Sequence, residues 1–211
     1  MFVKDSCQQE SNFLAVIGRW LPTDTKCGFV NVYAPNSPSA KDQLWDKLLS
    51  LFRINHGICW VVCGDFNEVR TPEERRGSVF VSRGATSFNN FIATTDLVEP
   101  PMGGKRFTWY NSSGNKCSKL DGFLFSPNFA DKWPNSKALV LPRIYSDHCP
   151  ILLDSKSVDF GPTPFKFYNS WLTSESLSKV VKEGWDAPST GYNPRSRIHL
   201  LCKKPQLLKY R

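Results

Sequence analysis

Trp60-Val-Val-Cys63 is an unbroken apolar run that stops at Gly64. A short run without polar alternation is expected of a strand covered on both faces. This one segment demands a layered fold, because each face of its sheet needs an apolar partner. The chain can supply that cover. Its 211 residues, 40% of them hydrophobic, suit one domain of ordinary size. The same content excludes wholesale disorder. No apolar stretch approaches the roughly 18 residues of a membrane span. Met1 to Glu10 has neither a basic nor an apolar leader segment, so an intracellular protein away from membranes is expected.

The neighbouring segments favour mixed α/β architecture. Phe13-Leu-Ala-Val-Ile17 and Cys27 to Tyr33 read as strands, with a hairpin turn at Thr23-Asp-Thr-Lys26. Leu44, Trp45, Leu48, Leu49, Leu51 and Phe52 recur at helical spacing, so Ala40 to Phe52 is expected to be an amphipathic helix. Thr86 or Ser87 is placed to cap a second helix carrying Phe88, Phe91 and Ile92. Phe107 to Tyr110, Leu120 to Phe125, Ala138 to Leu141 and Ile151 to Leu153 read as further short strands. Beyond Asp154 the character changes. Phe160-Gly-Pro-Thr-Pro-Phe165 is a linker-like break, and Ser174 to Trp185 has helical spacing. The expected division is 1–155 and 156–211.

Charge follows that division. The net charge is +8, with 17 basic against 15 acidic side chains up to Asp154 and 10 against 4 beyond it. Arg195, Arg197, Lys203, Lys204, Lys209 and Arg211 account for the later excess. Such a tail either holds phosphate backbones, RNA included, or is simply a solvated end. The seven cysteines are odd in number and form no CxxC pair, and the three histidines stand at no zinc-like spacing from them. Reduced thiols are the expectation.

Three segments carry candidate chemistry. Gly64-Asp65-Phe66-Asn67 ends the buried strand, where ligands bind in α/β sheets. Alternation would put Asp65 and Asn67 on one side and Phe66 in the core. A carboxylate and a carboxamide so placed can orient a water and a phosphate oxygen, but the same residues also favour a plain turn. Ser146-Asp147-His148-Cys149-Pro150 puts a histidine before a strand, suited either to proton transfer or to a local hydrogen bond. Asp147 would point away from His148 and can hold a metal. In Leu120-Asp121-Gly122-Phe123-Leu124 the acid interrupts an apolar strand and needs a partner. That partner is a histidine, or Arg106 or Lys119 in a salt bridge. Tyr33 either offers its phenol to a phosphate or packs at a rim. Trp109 either stacks on nucleic acid or fills the core. Arg75 and Arg76 either meet phosphates or belong to a solvated loop.

Asn31-Val-Tyr-Ala-Pro35, Gly64-Asp-Phe-Asn67, Leu120-Asp-Gly-Phe-Leu124 and Ser146-Asp-His-Cys-Pro150 occur in this order. Together they resemble the endonuclease/exonuclease/phosphatase family, which includes apurinic endonucleases and deoxyribonuclease I. Asp65-Phe-Asn-Glu-Val-Arg70, Glu74-Arg-Arg-Gly-Ser78, Phe107-Thr-Trp109 and the Phe160–Phe165 stretch look more specifically like the endonuclease domain of plant LINE-type (non-LTR) retrotransposons. The resemblance implies a four-layer α/β sandwich of the DNase I-like type and Mg²⁺-dependent hydrolysis of DNA phosphodiesters, with Mn²⁺ able to substitute. It implies that Asp65 activates or orients the attacking water, although His148 is an equally defensible base. Asn67 holds that water or the phosphate, and His148 stabilises developing charge with Asp121 as its orienting partner. Tyr33 contacts the phosphate, Asp147 helps hold Mg²⁺, and Trp109, Arg75 and Arg76 contact nucleic acid. A nuclear site of action follows from a DNA substrate.

The departures shape the expectation. The family opens with strands carrying an Asn and then a Gln-Glu pair whose Glu is a principal metal ligand. Only 30 residues precede Asn31, and Gln9-Glu10 sits too close to Tyr33 to be that pair. The chain is therefore expected to lack the N-terminal strands of the fold and to be impaired. Residues 156–211 are expected to be a connector toward an absent reverse transcriptase. Gly122 stands where plant elements usually carry Arg. The other readings are a small-substrate phosphoesterase and a non-catalytic nucleic-acid-binding or functionless remnant.

Overall fold

The computed structural model describes residues 1–155 and Lys182. Apart from Lys182, the expected connector, Ser174 to Trp185 helix and basic tail lie outside the described residues. The chain starts with three antiparallel strands, β1 (Phe2–Gln9), β2 (Phe13–Trp20) and β3 (Thr25–Tyr33). Helix α1 (Pro38–Ile54) crosses to β4 (Cys59–Asp65), which pairs parallel with β3. The two-residue strand β5 (Arg75–Arg76) and helix α2 (Ser82–Thr94) follow. Short strands β6 (Met102–Gly104), β7 (Trp109–Tyr110) and β8 (Cys117–Ser118) lead to β9 (Asp121–Phe125). Helix α3 (Pro127–Lys132), β10 (Lys137–Val140) and β11 (Ile151–Asp154) complete the described elements.

The five-stranded sheet has the order β1-β2-β3-β4-β9. One face meets α1 and α2. Val30, Val62 and Leu48 have no exposed surface there, and Trp45 stacks on Phe88 and Phe91. The other face meets the three-stranded sheet β11-β10-β6. Cys27, Cys59, Val61, Phe123 and Phe125 pack with Ala138 and Phe129, and with the partly buried Met102, Ile151 and Leu153. Alternate residues of β4 thus face two cores, which is why its sequence shows no polar alternation. Each such buried aliphatic side chain is worth about 1.5–3 kcal/mol.

Some elements differ from the sequence expectation. Helix α2 begins at Ser82 with Val81 at its N-cap, so Thr86 and Ser87 lie inside it. Ser87 is instead bonded to Asp42 on α1. Strand β4 runs through Gly64 to Asp65 rather than stopping. Gly64 has φ 129°, and a Cβ on it would lie 2.0 Å from the Val32 carbonyl oxygen. Only glycine lets β4 close on β3 there. Strand β1 was not expected, because its polar residues carry no apolar signal; it is an exposed edge. No described helix is long and apolar enough to cross a membrane.

Candidate active site

Three strands bring three candidates to one sheet edge. Tyr33 ends β3 and is in register with Asp65 at the end of β4; Asp65 is in register with Asp121, which begins β9. Neighbouring strands lie about 4.8 Å apart, so these side chains stand in a row. His148 reaches the row from the segment before β11. Its Nδ1 is 2.8 Å from Asp121 Oδ2, and its Nε2 is 4.0 Å from Asp65 Oδ2. Asp121 therefore takes the histidine as its partner. Lys119 is paired with Glu74 and Glu99, and Arg106 donates to the Glu73 carbonyl.

A network of backbone bonds fixes His148. Trp109 and His148 form a β-bridge, and Tyr110 N–H donates to the Asp147 carbonyl. Cys149 N–H donates to the Thr108 carbonyl at 2.6 Å. Thr108 Oγ1 in turn accepts from the N–H groups of Leu120 and Asp121, each at 2.9 Å. This fully buried threonine thus ties the Asp121 strand to the His148 segment. Sequence reasoning missed it, although it lies inside the Phe107-Thr-Trp109 motif.

Phe66 is buried as alternation expects, and Asn67 leaves the strand in a turn. Its φ is 49°, in the left-handed region that Asn tolerates better than most residues. Its N–H donates to Asp65 Oδ1, forming an Asx turn, and its Nδ2 donates to the Ala34 carbonyl. The turn reading and the site reading thus hold together, because the turn orients Asp65. Lys41 of α1 secures it from behind. Its Nζ donates to the Asn67 carbonyl at 2.6 Å and to Glu68 Oε2 at 2.7 Å. Both side chains of this ion pair are 9% exposed. Sequence reasoning missed this pair as well. A lysine on the apolar face of a helix was its signal, since such a cation needs an anion.

The remaining candidates divide. Tyr33 is open to solvent at the end of the row. Asp147 is exposed, its Oδ2 accepting from Trp109 Nε1 at 2.9 Å, which lowers its pKa. Trp109 is half-buried and committed to that bond. Arg76 is exposed over the Phe107 ring, whereas Arg75 donates to the Val79 carbonyl. Glu10 pairs with Lys47 on α1.

Electrostatics make Asp65 the distinctive acid. Burial raises its pKa above the ordinary carboxylate value. The Asn67 N–H opposes that shift, Asp121 adds to it, and His148 and Lys41 oppose it. Asp65, Asp121 and His148 each offer a ligand atom, all within 4.8 Å of one another. Two carboxylates and an imidazole fit a divalent cation, the oxygens suiting Mg²⁺ and the mixed set tolerating Mn²⁺. Asp147 lies outside this group.

Residues 27–152 match the endonuclease-reverse transcriptase family. No curated protein matches the chain in sequence. Among solved structures it resembles AP endonuclease LMAP from Leishmania major, at TM-score 0.52 and 16% identity, over 68% of this chain and 54% of that one. It also resembles the 3′ phosphatase NExo from Neisseria, solved bound to a product DNA hairpin, at TM-score 0.55 and 18% identity. That match covers 72% of this chain and 71% of the other. The endonuclease domain of TRAS1, a telomere-specific non-LTR retrotransposon, matches at TM-score 0.54 and 15% identity, over 72% and 68% of the two chains. The chain thus spans about half the length of LMAP and more of the other two. The shared architecture is the DNase I-like α/β sandwich.

Proposed function

The chain belongs to the endonuclease-reverse transcriptase family, and we propose that it hydrolyses phosphodiester bonds of DNA with the help of a divalent cation. The observation that carries this reading is the alignment of Asp121, His148 and Asp65. Asp121 accepts from His148 Nδ1 at 2.8 Å, which leaves Nε2 facing Asp65, 4.0 Å from its Oδ2. A scissile phosphate lying over the outer side of this pair meets two groups of opposite duty, since 4.0 Å leaves no room for it between them. His148 Nε2 donates to a phosphoryl oxygen as charge develops, and Asp65 orients the attacking water and receives its proton. The Asn67 turn and Lys41 keep Asp65 in place, and Tyr33 borders the phosphate from β3.

Asp65 and Asp121 would hold the cation, Mg²⁺ or Mn²⁺. When bound, it polarises the phosphodiester and offsets its charge. Asp121 is already engaged by His148, so Asp65 has little carboxylate support and the cation is held weakly. This favours low activity that needs millimolar Mg²⁺. Action on DNA makes the nucleus its place of work. The motifs shared with plant LINE-type endonuclease domains favour a retroelement origin.

A labelled DNA duplex incubated with Mg²⁺, Mn²⁺ or EDTA tests the reading. Cleavage is expected with either cation and not with EDTA. Binding of the duplex without cleavage at any cation concentration would favour the non-catalytic alternative and overturn the enzymatic one.

A further inference from the structure

Phe107 and Tyr110 stand edge to face, with ring centroids 6.4 Å apart. Four cations gather over this pair. Arg76 and Arg106 lie 5.8 and 5.5 Å from the Phe107 centroid. Lys105 and Arg143 lie 6.0 and 5.4 Å from the Tyr110 centroid. All four side chains are exposed. Among the described residues none of the four forms an ion pair. Arg70 and Lys119, by contrast, are neutralised by Glu74 and Glu99. The ring faces stabilise these cations only in part, which leaves them able to take an anion.

The cluster also has a fixed position. Tyr110 donates its N–H to the Asp147 carbonyl, and Arg143 Nη1 reaches the Tyr110 carbonyl at 3.5 Å. Trp109, between the two rings in sequence, is bridged to His148. The cations are therefore tied to the segment that carries the candidate catalytic histidine.

We propose that Arg76, Lys105, Arg106 and Arg143 form a ridge that holds the sugar-phosphate backbone of DNA on the His148 side of the scissile bond. The proposal rests on the phosphodiesterase reading for the identity of the anion. Exposed cations without an ion pair among the described residues suit the repeated charges of a polyphosphate, and guanidinium groups suit phosphate oxygens. Arg75 is not part of the ridge, because it is half-buried and lies over neither ring. The ridge reads no base sequence; it sets where the duplex lies relative to His148.

The test is the salt dependence of DNA binding by the full chain, read by fluorescence anisotropy with a labelled duplex. Two double variants remove the ridge in halves, Arg76→Gln with Arg106→Gln and Lys105→Gln with Arg143→Gln. A third, Lys4→Gln with Lys26→Gln, removes two exposed cations at the other end of the five-stranded sheet. Lys26 is seven positions from Tyr33 along β3, roughly 23 Å at about 3.3 Å per residue. Each lost phosphate contact is expected to lower the log–log salt slope by about 0.9 and to weaken binding about fivefold near 0.15 M salt. Each ridge variant should therefore lose close to two units of slope, and the control none. An unchanged slope in both ridge variants, an equal loss in the control, or no binding by the parent chain overturns the ridge. Plasmid nicking measured in parallel separates the two claims. Nicking with unchanged slopes rejects the ridge alone, while ridge-dependent binding without nicking rejects hydrolysis and keeps the ridge.

Discussion

Thr108 shows how much of this site depends on residues that touch no substrate. Its hydroxyl accepts two backbone N–H groups and its carbonyl a third, and the residue has no exposed surface. Thr108→Val keeps the shape but leaves the Leu120 and Asp121 N–H groups without their acceptor. That substitution is expected to lower stability by about 2–4 kcal/mol, and Thr108→Ser by less than half as much, as measured by urea unfolding. A second prediction concerns Cys27. Burial, with a smaller contribution from Cys59, pushes its thiol pKa up to about 11. A raised thiol pKa means the neutral form is favoured in the fold. The resulting stability is complete below the unfolded thiol pKa of about 8.5 and is lost as pH rises through about 11. Alkylation mapped by mass spectrometry should therefore label exposed Cys7 readily at pH 8 and reach Cys27 only in strongly alkaline solution. Ready labelling of Cys27 at pH 8 in the native protein would contradict this. The sequence made Asp65, Asp121 and His148 legible because each stands where an apolar strand starts, ends or is approached. Thr108 was not legible, because its partners are contacts that only the tertiary structure brings together. The Asn67 turn was not legible, because strand alternation carries no signal for an Asx turn just beyond the end of β4.

At the scale of elements, the fold holds the turn of Asp65 and Asn67 from behind. Helix α1 brings Lys41 to the Asn67 carbonyl and to Glu68, and helix α2 closes over the pair at Gly84. A Cβ on Gly84 would lie 2.2 Å from Glu68 Oε2, so this glycine in the first turn of α2 makes room for the carboxylate. Removing one member of so buried a pair strands the other. Lys41→Met alone or Glu68→Leu alone is expected to destabilise by about 3–5 kcal/mol, whereas the double variant should recover most of that loss. Additive losses in the double-mutant cycle would show that the pair is not coupled. Strand β4 was evident because its apolar run is covered on both faces, and α1 because its leucines repeat at helical spacing. Strand β1, the three-residue β6 and the six-residue α3 carry too little apolar periodicity to be read. The start of α2 was missed because Val81 makes no side-chain cap.

For the whole molecule, motif order outperformed any single motif. Four short segments in sequence pointed to a DNase I-like sandwich, and the described residues adopt that architecture, with helices on one face of the central sheet and a second sheet on the other. Composition could not have done this, since the body up to Asp154 is nearly neutral. Charge becomes informative only when the fold separates neutralised cations such as Lys119 from ones such as Lys105 that form no ion pair among the described residues. The central claim is that Asp65 and His148, aligned by Asp121, act on a phosphodiester. Nicking of supercoiled plasmid by the full chain in Mg²⁺, beside Asp65→Ala and His148→Ala, tests it most directly. The account predicts slow nicking at millimolar Mg²⁺, stopped by EDTA and reduced at least 100-fold or so by either substitution. Nicking that survives both substitutions, or none by the parent chain at any Mg²⁺ concentration, would contradict it.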